Sequence, residues 1–260
     1  MDSLIELDWF RVAWAGGLMV LAIGISRWQS LGLEWELAIA SGRTLLQLMV
    51  VGYVLSIVFA IQQPWAVLGI LMVMLSVATI VARNRISKSL SRFPYWLGLT
   101  LLLSTAITLG YINMMVIRPE RWYDPQYVIP LSGILLGNAM NASAIAGERF
   151  VSLVKAHRLN IETSLSLGAL PQEAIARDRQ DAMRAGMIPI INSMMVVGIV
   201  TLPGIITGQL LSGVSPFNAS LYQIVIMFML AFTDLVAILL TLQGLYRQCF
   251  NATAQLTMPF

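Results

Sequence analysis

The sequence predicts an all-α, polytopic transmembrane helical bundle of about seven spans, and three observations predict it. Seven stretches are long and apolar enough to cross a bilayer, charged residues are scarce, and basic residues gather in alternate loops. The 260 residues are 58% apolar and only 11% charged, with a mean hydropathy of +0.78. A soluble protein averages about 25% charged and about 45–50% apolar residues. A folded chain of this size must cover itself with polar groups to stay in water. The surplus apolar area therefore faces lipid.

A helix needs roughly 20 mainly apolar residues to cross the hydrocarbon core. In chain order the candidates are 9–26, 37–60, 65–82, 94–117, 127–147, 187–211 and 221–242. Barrel strands are not expected, because the runs are too long and lack alternation. The first span follows an acidic start (Asp2, Glu6, Asp8) with no basic region ahead of it. It is expected to stay as an anchor rather than be cleaved as a signal peptide. The sixth span contains Leu202-Pro203-Gly204-Ile205-Ile206-Thr207-Gly208. Proline removes a backbone donor and glycine relaxes φ, so a kink or break is expected near mid-membrane.

Orientation follows from lysine and arginine. With the N-terminus outside, the inner loops hold Arg27; Arg83, Arg85, Lys88 and Arg92; Arg149, Lys155, Arg158, Arg177, Arg179 and Arg184; and Arg247. Twelve of the sixteen basic residues then lie in the cytoplasm, which predicts N-out and C-in. Trp9, Trp28, Trp35, Trp65, Trp96 and Trp122 fall near predicted ends, where amphipathic rings prefer the headgroup region, and Trp14 is the exception. No repeat or flexible linker interrupts the chain. The reading is one transmembrane domain over 1–260 in an integral membrane protein, the inner (plasma) membrane in a bacterium.

The same inventory excludes several function classes. Cys249 and His157 are each the single residue of their kind, so no His/Cys metal cage can form within one chain. His157, between Lys155 and Arg158, is expected at the surface or among lipid headgroups. There is no phosphate-binding Gly-x-x-x-x-Gly-Lys-Ser/Thr loop, no His-Glu-x-x-His, no paired catalytic set and no nucleic-acid module. No catalytic residue is assigned. Met114-Met115 and Met194-Met195 point to different sides of a helix, so the methionines read as packing rather than as a metal ladder. Glu120, Asp124 and Asp234 make a sparse set of hard oxygen ligands, and the metal-binding residues stay unknown.

The most informative string lies in the long inner loop, 148–186: Glu162-Thr163-Ser164-Leu165-Ser166-Leu167-Gly168-Ala169. Ile175, Ala182 and Met183 recur there at near-helical spacing. The string resembles the EAA loop of ABC-transporter permeases, a glutamate followed six residues later by glycine. The resemblance implies a short helix, a turn at the glycine and a second helix, docked on a cytoplasmic ATPase and passing its nucleotide cycle to the pore. Three further strings extend the likeness: Gly42-Arg43-Thr44-Leu45-Leu46-Gln47-Leu48 with Gly52-Tyr53, Gly137-Asn138-Ala139-Met140, and 202–208 with Tyr222-Gln223. Together they resemble the FetB/YbbM-type permease family, which includes a bacterial iron-export permease and plant aluminium-tolerance permeases. Where the resemblance implies an acidic residue and a lysine ahead of Leu-Pro-Gly, this chain has Asn192 and Met195.

Among the spans, Arg43 carries the sharpest signal, since a charge at membrane depth costs a few kcal/mol and must face a partner or a wet cavity. It lies seven residues beyond Glu36, with Gln47 one turn later on the same face. Asp234 in the last span is its candidate partner. Asn138, Asn141, Asn192, Pro203 and Gly204 complete the pathway candidates; amide packing and a small-residue contact at Gly204 and Gly208 are the plainer explanations. Gly16 and Gly17 read the same way.

The resemblance implies a homodimeric permease, with lipid around it, that binds two copies of a cytoplasmic ABC ATPase through Glu162, Leu167, Gly168 and Ala169. Such a chain binds no cofactor itself; ATP and magnesium belong to the ATPase. The cargo implied is iron or a related metal species, or a sugar-nucleotide-like anion, moved outward. The competing reading is a secondary transporter or channel without an ATPase, running on the Arg43 and Asp234 charges.

Overall fold

In a computed structural model, residues 8–87, 93–119, 121–251 and 255–257 are described. Asp2, Glu6, Lys88, Arg92 and Glu120, invoked above, lie outside them. The elements are α1 (Trp9–Trp28), α2 (Glu34–Ile61), α3 (Pro64–Ile86), α4 (Phe93–Tyr111) continued by a π-helical turn (Ile112–Ile117), α5 (Pro125–Ala156), α6 (Arg158–Ser166), α7 (Pro171–Ala174), α8 (Ala176–Val196), α9 (Gly204–Leu211) and α10 (Pro216–Cys249). No β-strand occurs among the described residues. Among the described residues, six helices are long and apolar enough to cross a membrane. The molecule is a polytopic helical bundle, and the chain divides into two units, 1–62 and 63–260.

The first unit is the α1–α2 hairpin. Its turn uses left-handed backbone at Ser30 (φ 52°) and Gly32 (φ 72°). The buried Ser26 hydroxyl secures it, accepting from Leu33 N at 3.3 Å and donating to Glu34 Oε1 at 3.2 Å. Most apolar side chains of the hairpin are exposed, which suits a lipid solvent.

In the second unit α5 and α10 sit at the centre, flanked by α3, α4 and α8. At about 1.5 Å per residue, the 32 residues of α5 and 34 of α10 reach about 48 and 51 Å. The hydrocarbon core is about 30 Å thick, so each helix overhangs it. The charges identify the overhanging end: Glu148, Arg149 and Lys155 close α5, and Arg247 lies in the last turn of α10. These two helices therefore continue well past the predicted ends at 147 and 242.

Close approach in this unit depends on small residues, as membrane helix packing requires. A Cβ on Gly186 of α8 would lie 2.9 Å from both Ala142 O and Ala146 Cβ of α5, and 2.8 Å from Ile238 Cδ1 of α10. A Cβ on Gly244 would run into the Trp96 indole, whose Nε1 donates to Leu240 O at 2.7 Å. The glycines read above as packing points, Gly16, Gly17, Gly204 and Gly208, instead face open space. Their spacing fits a close contact, but no backbone among the described residues lies within 4 Å of a Cβ placed there.

The predicted span 187–211 is not one helix. α8 begins at Ala176, ahead of that stretch, and ends at Val196; α9 starts only after Pro203. Between them the chain turns at Gly198 (φ +81°), whose N–H donates to Thr201 O at 2.9 Å. Proline at 203 supplies no N–H to continue α8 and is well placed to precede a new helix. The break expected at Leu-Pro-Gly is present.

Candidate functional site

At the overhanging end the chain leaves α5, forms α6 and stops at a turn that its own sequence dictates. Leu167 caps α6, Gly168 follows at φ +91°, and two bonds close the turn: Ala169 N to Ser164 O and Gly168 N to Leu165 O, both 3.0 Å. This is a Schellman stop, in which the residue after the cap adopts the left-handed conformation that glycine enters without strain. The Leu-Gly-Ala string thus has a backbone reason. Proline then opens α7, and Glu173 Oε2 accepts from Leu170 N at 3.0 Å to fix its start. Glu162 accepts from Arg158 Nε at 2.8 Å, one turn back along α6.

One face of this element is anchored. Ile161 and Ile175 are buried in a core with Phe150, Val154, Leu245 and Cys249. Ile175 and Ala182, expected on one face by their spacing, are both buried. On the other side Leu159, Leu167 and Leu170 are exposed, Leu167 at 84%. His157, expected at the surface or among headgroups, is exposed over about half its side chain, and its Nδ1 lies 2.8 Å from Oδ1 of the buried Asp178. That contact joins the end of α5 to the start of α8 and flanks a polar hollow of about 790 Å³ lined also by Asn160, Ser164 and Glu173.

Inside the bundle runs a seam of polar groups. The Thr108 and Thr233 hydroxyls meet at 2.7 Å between α4 and α10. Beside Thr233, Asp234 is 3% exposed. Its Oδ1, with Thr105 Oγ1, Ser143 Oγ and Thr241 Oγ1, is buried without a hydrogen-bond partner among the described residues. Leu101, Ala139 and Ala237 share one core cluster. Thr105, Ser143 and Thr241 each follow one of these by four residues, so the seam lies along adjoining faces of α4, α5 and α10.

Arg43 and Gln47 are exposed on α2, in the first unit. Asn138 is half-buried and spends its amide on Ile134 O at 2.9 Å, while Asn141 and Asn192 are exposed. Pro203 is half-buried and Gly204 exposed at the start of α9. Among the described residues, no group of three or more His, Cys, Asp or Glu is placed to hold a metal ion. Asp124 instead caps α5, accepting from Gln126 N at 3.0 Å.

At the opposite end from α6, the first turns of α5 and α10 and the short α9 line a half-open cavity of about 560 Å³. Its polar lining is Gln126, Tyr127, Gln209, Asn218 and Tyr222. Gln209 Oε1 is buried and has no hydrogen-bond partner among the described residues. None of Gln126, Tyr127 and Asn218 stands out in the sequence. The missed signal was the pair of Pro-initiated helix starts, Asp124-Pro125 and Ser215-Pro216, facing the Leu-Pro-Gly break.

Comparison with known proteins matches this architecture along nearly its whole length. The family described as "Uncharacterised protein family (UPF0014)" matches residues 9–250. The chain is 50% identical over 254 residues to the UPF0014 membrane protein slr1647 of Synechocystis sp., covering 98% of each chain. It is 34% identical over 214 residues to Protein ALUMINUM SENSITIVE 3 of Arabidopsis thaliana, 82% of this chain and 77% of that one. It is 32% identical over 244 residues to FetB of Escherichia coli, named a probable iron export permease, 93% and 92% of the two chains. No solved structure matches. The family suggested by the motifs at 42–53, 137–140, 162–169 and 202–208 is thus the one found by comparison, and this integral membrane protein belongs to UPF0014.

Proposed function

We propose that this chain is the membrane permease subunit of an ABC transporter, exporting iron or a related metal species as a homodimer driven by two copies of a separate cytoplasmic ATPase. The observation that carries the reading is the α6–Gly168–α7 element. A motor-driven permease needs a stiff part that projects from the membrane and cannot slide on its base. Here Ile161 and Ile175 anchor the base, the Schellman stop fixes the bend, and Leu159, Leu167 and Leu170 present an unpartnered apolar edge. The names of FetB and ALUMINUM SENSITIVE 3 support metal as the cargo.

In this reading the N-terminus lies outside, and the α6–α7 end faces the cytoplasm. ATP binding draws the two ATPases together, the two α6–α7 elements follow, and α5, α8 and α10 carry the movement into the bilayer. The test is co-purification and reconstitution. The ATPase should bind the wild-type chain, its binding should fall when Glu162 and Gly168 are replaced, and metal release from vesicles should require ATP. ATP-independent release by the permease alone would favour the second reading, an ion-driven carrier. That alternative draws on one specific observation, the buried carboxylate of Asp234 within a span.

A further inference from the structure

We propose that the cavity between α5, α9 and α10 is a cargo site that takes metal as an uncharged, oxygen-ligated complex rather than as a bare ion. The inference rests on the permease reading and adds the chemical form of the cargo. Charge is the first argument. The polar lining consists of the amides Gln126, Gln209 and Asn218 and the phenols Tyr127 and Tyr222, and the remaining lining is apolar. Stripping water from a hard cation calls for carboxylates or a dense shell of oxygens. Amides and phenols are instead suited to hydrogen-bonding the outside of a molecule whose charge is already neutralised.

Size is the second argument. A cage fitted to a bare hard cation closes its oxygens to about 2.0–2.6 Å and leaves almost no free space. The cavity holds about 560 Å³, within the range of roughly 300–1,000 Å³ typical of sites for small organic molecules. An ion ringed by its own organic ligands has that bulk.

The third argument is Gln209. Its buried Oε1 lacks a donor among the described residues, although buried carbonyl oxygens are rarely left unpaired. Turned into the cavity, that oxygen would accept from a ligand carrying an outward O–H or N–H. The geometry therefore favours a complex with hydroxyl or amide donors on its periphery over one with a purely apolar rim.

The experiment is calorimetric titration of the full chain in nanodiscs without nucleotide. The probes are tris(kojato)iron(III), which is neutral and carries hydroxymethyl donors; tris(maltolato)iron(III), neutral with methyl groups and no hydroxymethyl donor; the free kojic acid; and Fe²⁺ alone under anaerobic conditions. The kojate complex should bind best, the maltolate complex more weakly, and free kojic acid and Fe²⁺ weakest. Gln209→Ala should weaken kojate binding about tenfold and remove its advantage over maltolate. Gln209→Glu, which places a carboxylate in the cavity, should raise affinity for Fe²⁺.

Thermal unfolding of Gln209→Asn, the conservative variant, separates loss of the ligand from loss of the fold. If Fe²⁺ alone binds as tightly as the kojate complex, or no probe binding depends on Gln209, the proposal is overturned. If ATP-driven metal release is unchanged in Gln209→Ala vesicles, this site fails while the permease reading stands. Absence of ATP-driven release from wild-type vesicles overturns the permease reading itself.

Discussion

His157 and Asp178 stand 21 positions apart in sequence and 2.8 Å apart in space, and their contact closes the base of the α6–α7 element. His157 ends α5 and opens α6, while Asp178 lies in the first turn of α8. A half-exposed ring here satisfies a carboxylate that is itself buried. His157→Ala leaves that carboxylate without its partner, a loss of about 1–3 kcal/mol for a buried group. Asp178→Asn keeps an acceptor for the ring and should cost less. Thermal unfolding in nanodiscs ranks the two; equal stability of His157→Ala and wild type would count against a structural role for the pair.

Gly168 is the residue on which the bend depends. With φ at +91°, any side chain there is strained. Gly168→Ala should cost about 1–2 kcal/mol locally and weaken ATPase capture. Gly168→Asn, better tolerated in the left-handed region, should retain more of it. Pull-down of the ATPase by the two variants is the measurement, and identical capture by both and by wild type would remove the turn from the coupling argument.

Gly186 and Gly137 offer a matched comparison. A methyl group at 186 meets Ala142 O and Ala146 Cβ, whereas one at 137 meets nothing within 4 Å. Gly186→Ala should therefore destabilise by about 1–3 kcal/mol through overpacking against backbone. Gly137→Ala should be neutral or gain about 0.5–1 kcal/mol from its helical propensity. Unfolding midpoints of the pair in the same detergent check the contrast.

Asp234 should dissociate stability from transport. A buried polar atom without a partner is a cost to the fold, and an apolar residue of similar shape removes it. Asp234→Leu is expected to unfold at the same temperature as wild type or higher, and to lose metal release from ATP-energised vesicles. A variant that is less stable yet transports normally would mark Asp234 as a packing residue alone.

The spans were legible because lipid imposes one rule along the entire chain: every backbone polar group must be satisfied within its own helix. The break at Leu202-Pro203 and the stop at Gly168 were legible for a related reason, since proline and glycine act on the local backbone whatever surrounds them. What sequence could not show was which residues share a level. Thr108 and Thr233 are 125 positions apart, and only the antiparallel run of α4 against α10 brings their hydroxyls together. The same limit explains the misplaced glycines, because Gly204 and Gly208 have the spacing of a packed pair, but Gly186, with no such motif, has the neighbours. His157 lies at the surface, as its basic sequence neighbours suggest, but its partner in space, an acid on another helix, is not legible from them.

The length of α5 and α10 has a consequence for how force crosses the molecule. α10 runs without interruption from the wall of the cavity to the core that holds Ile161 and Ile175, and α5 does so from Pro130 onward. A helix transmits a tilt along its axis as a connecting rod does, so a small swing at one end arrives at the other tens of ångströms away with no intermediate joint. The weak place in that linkage is then α9, a segment of eight residues with left-handed glycine on either side, at Gly198 and Gly213. Strain delivered by the rods would be released there, where the cavity has its shortest wall.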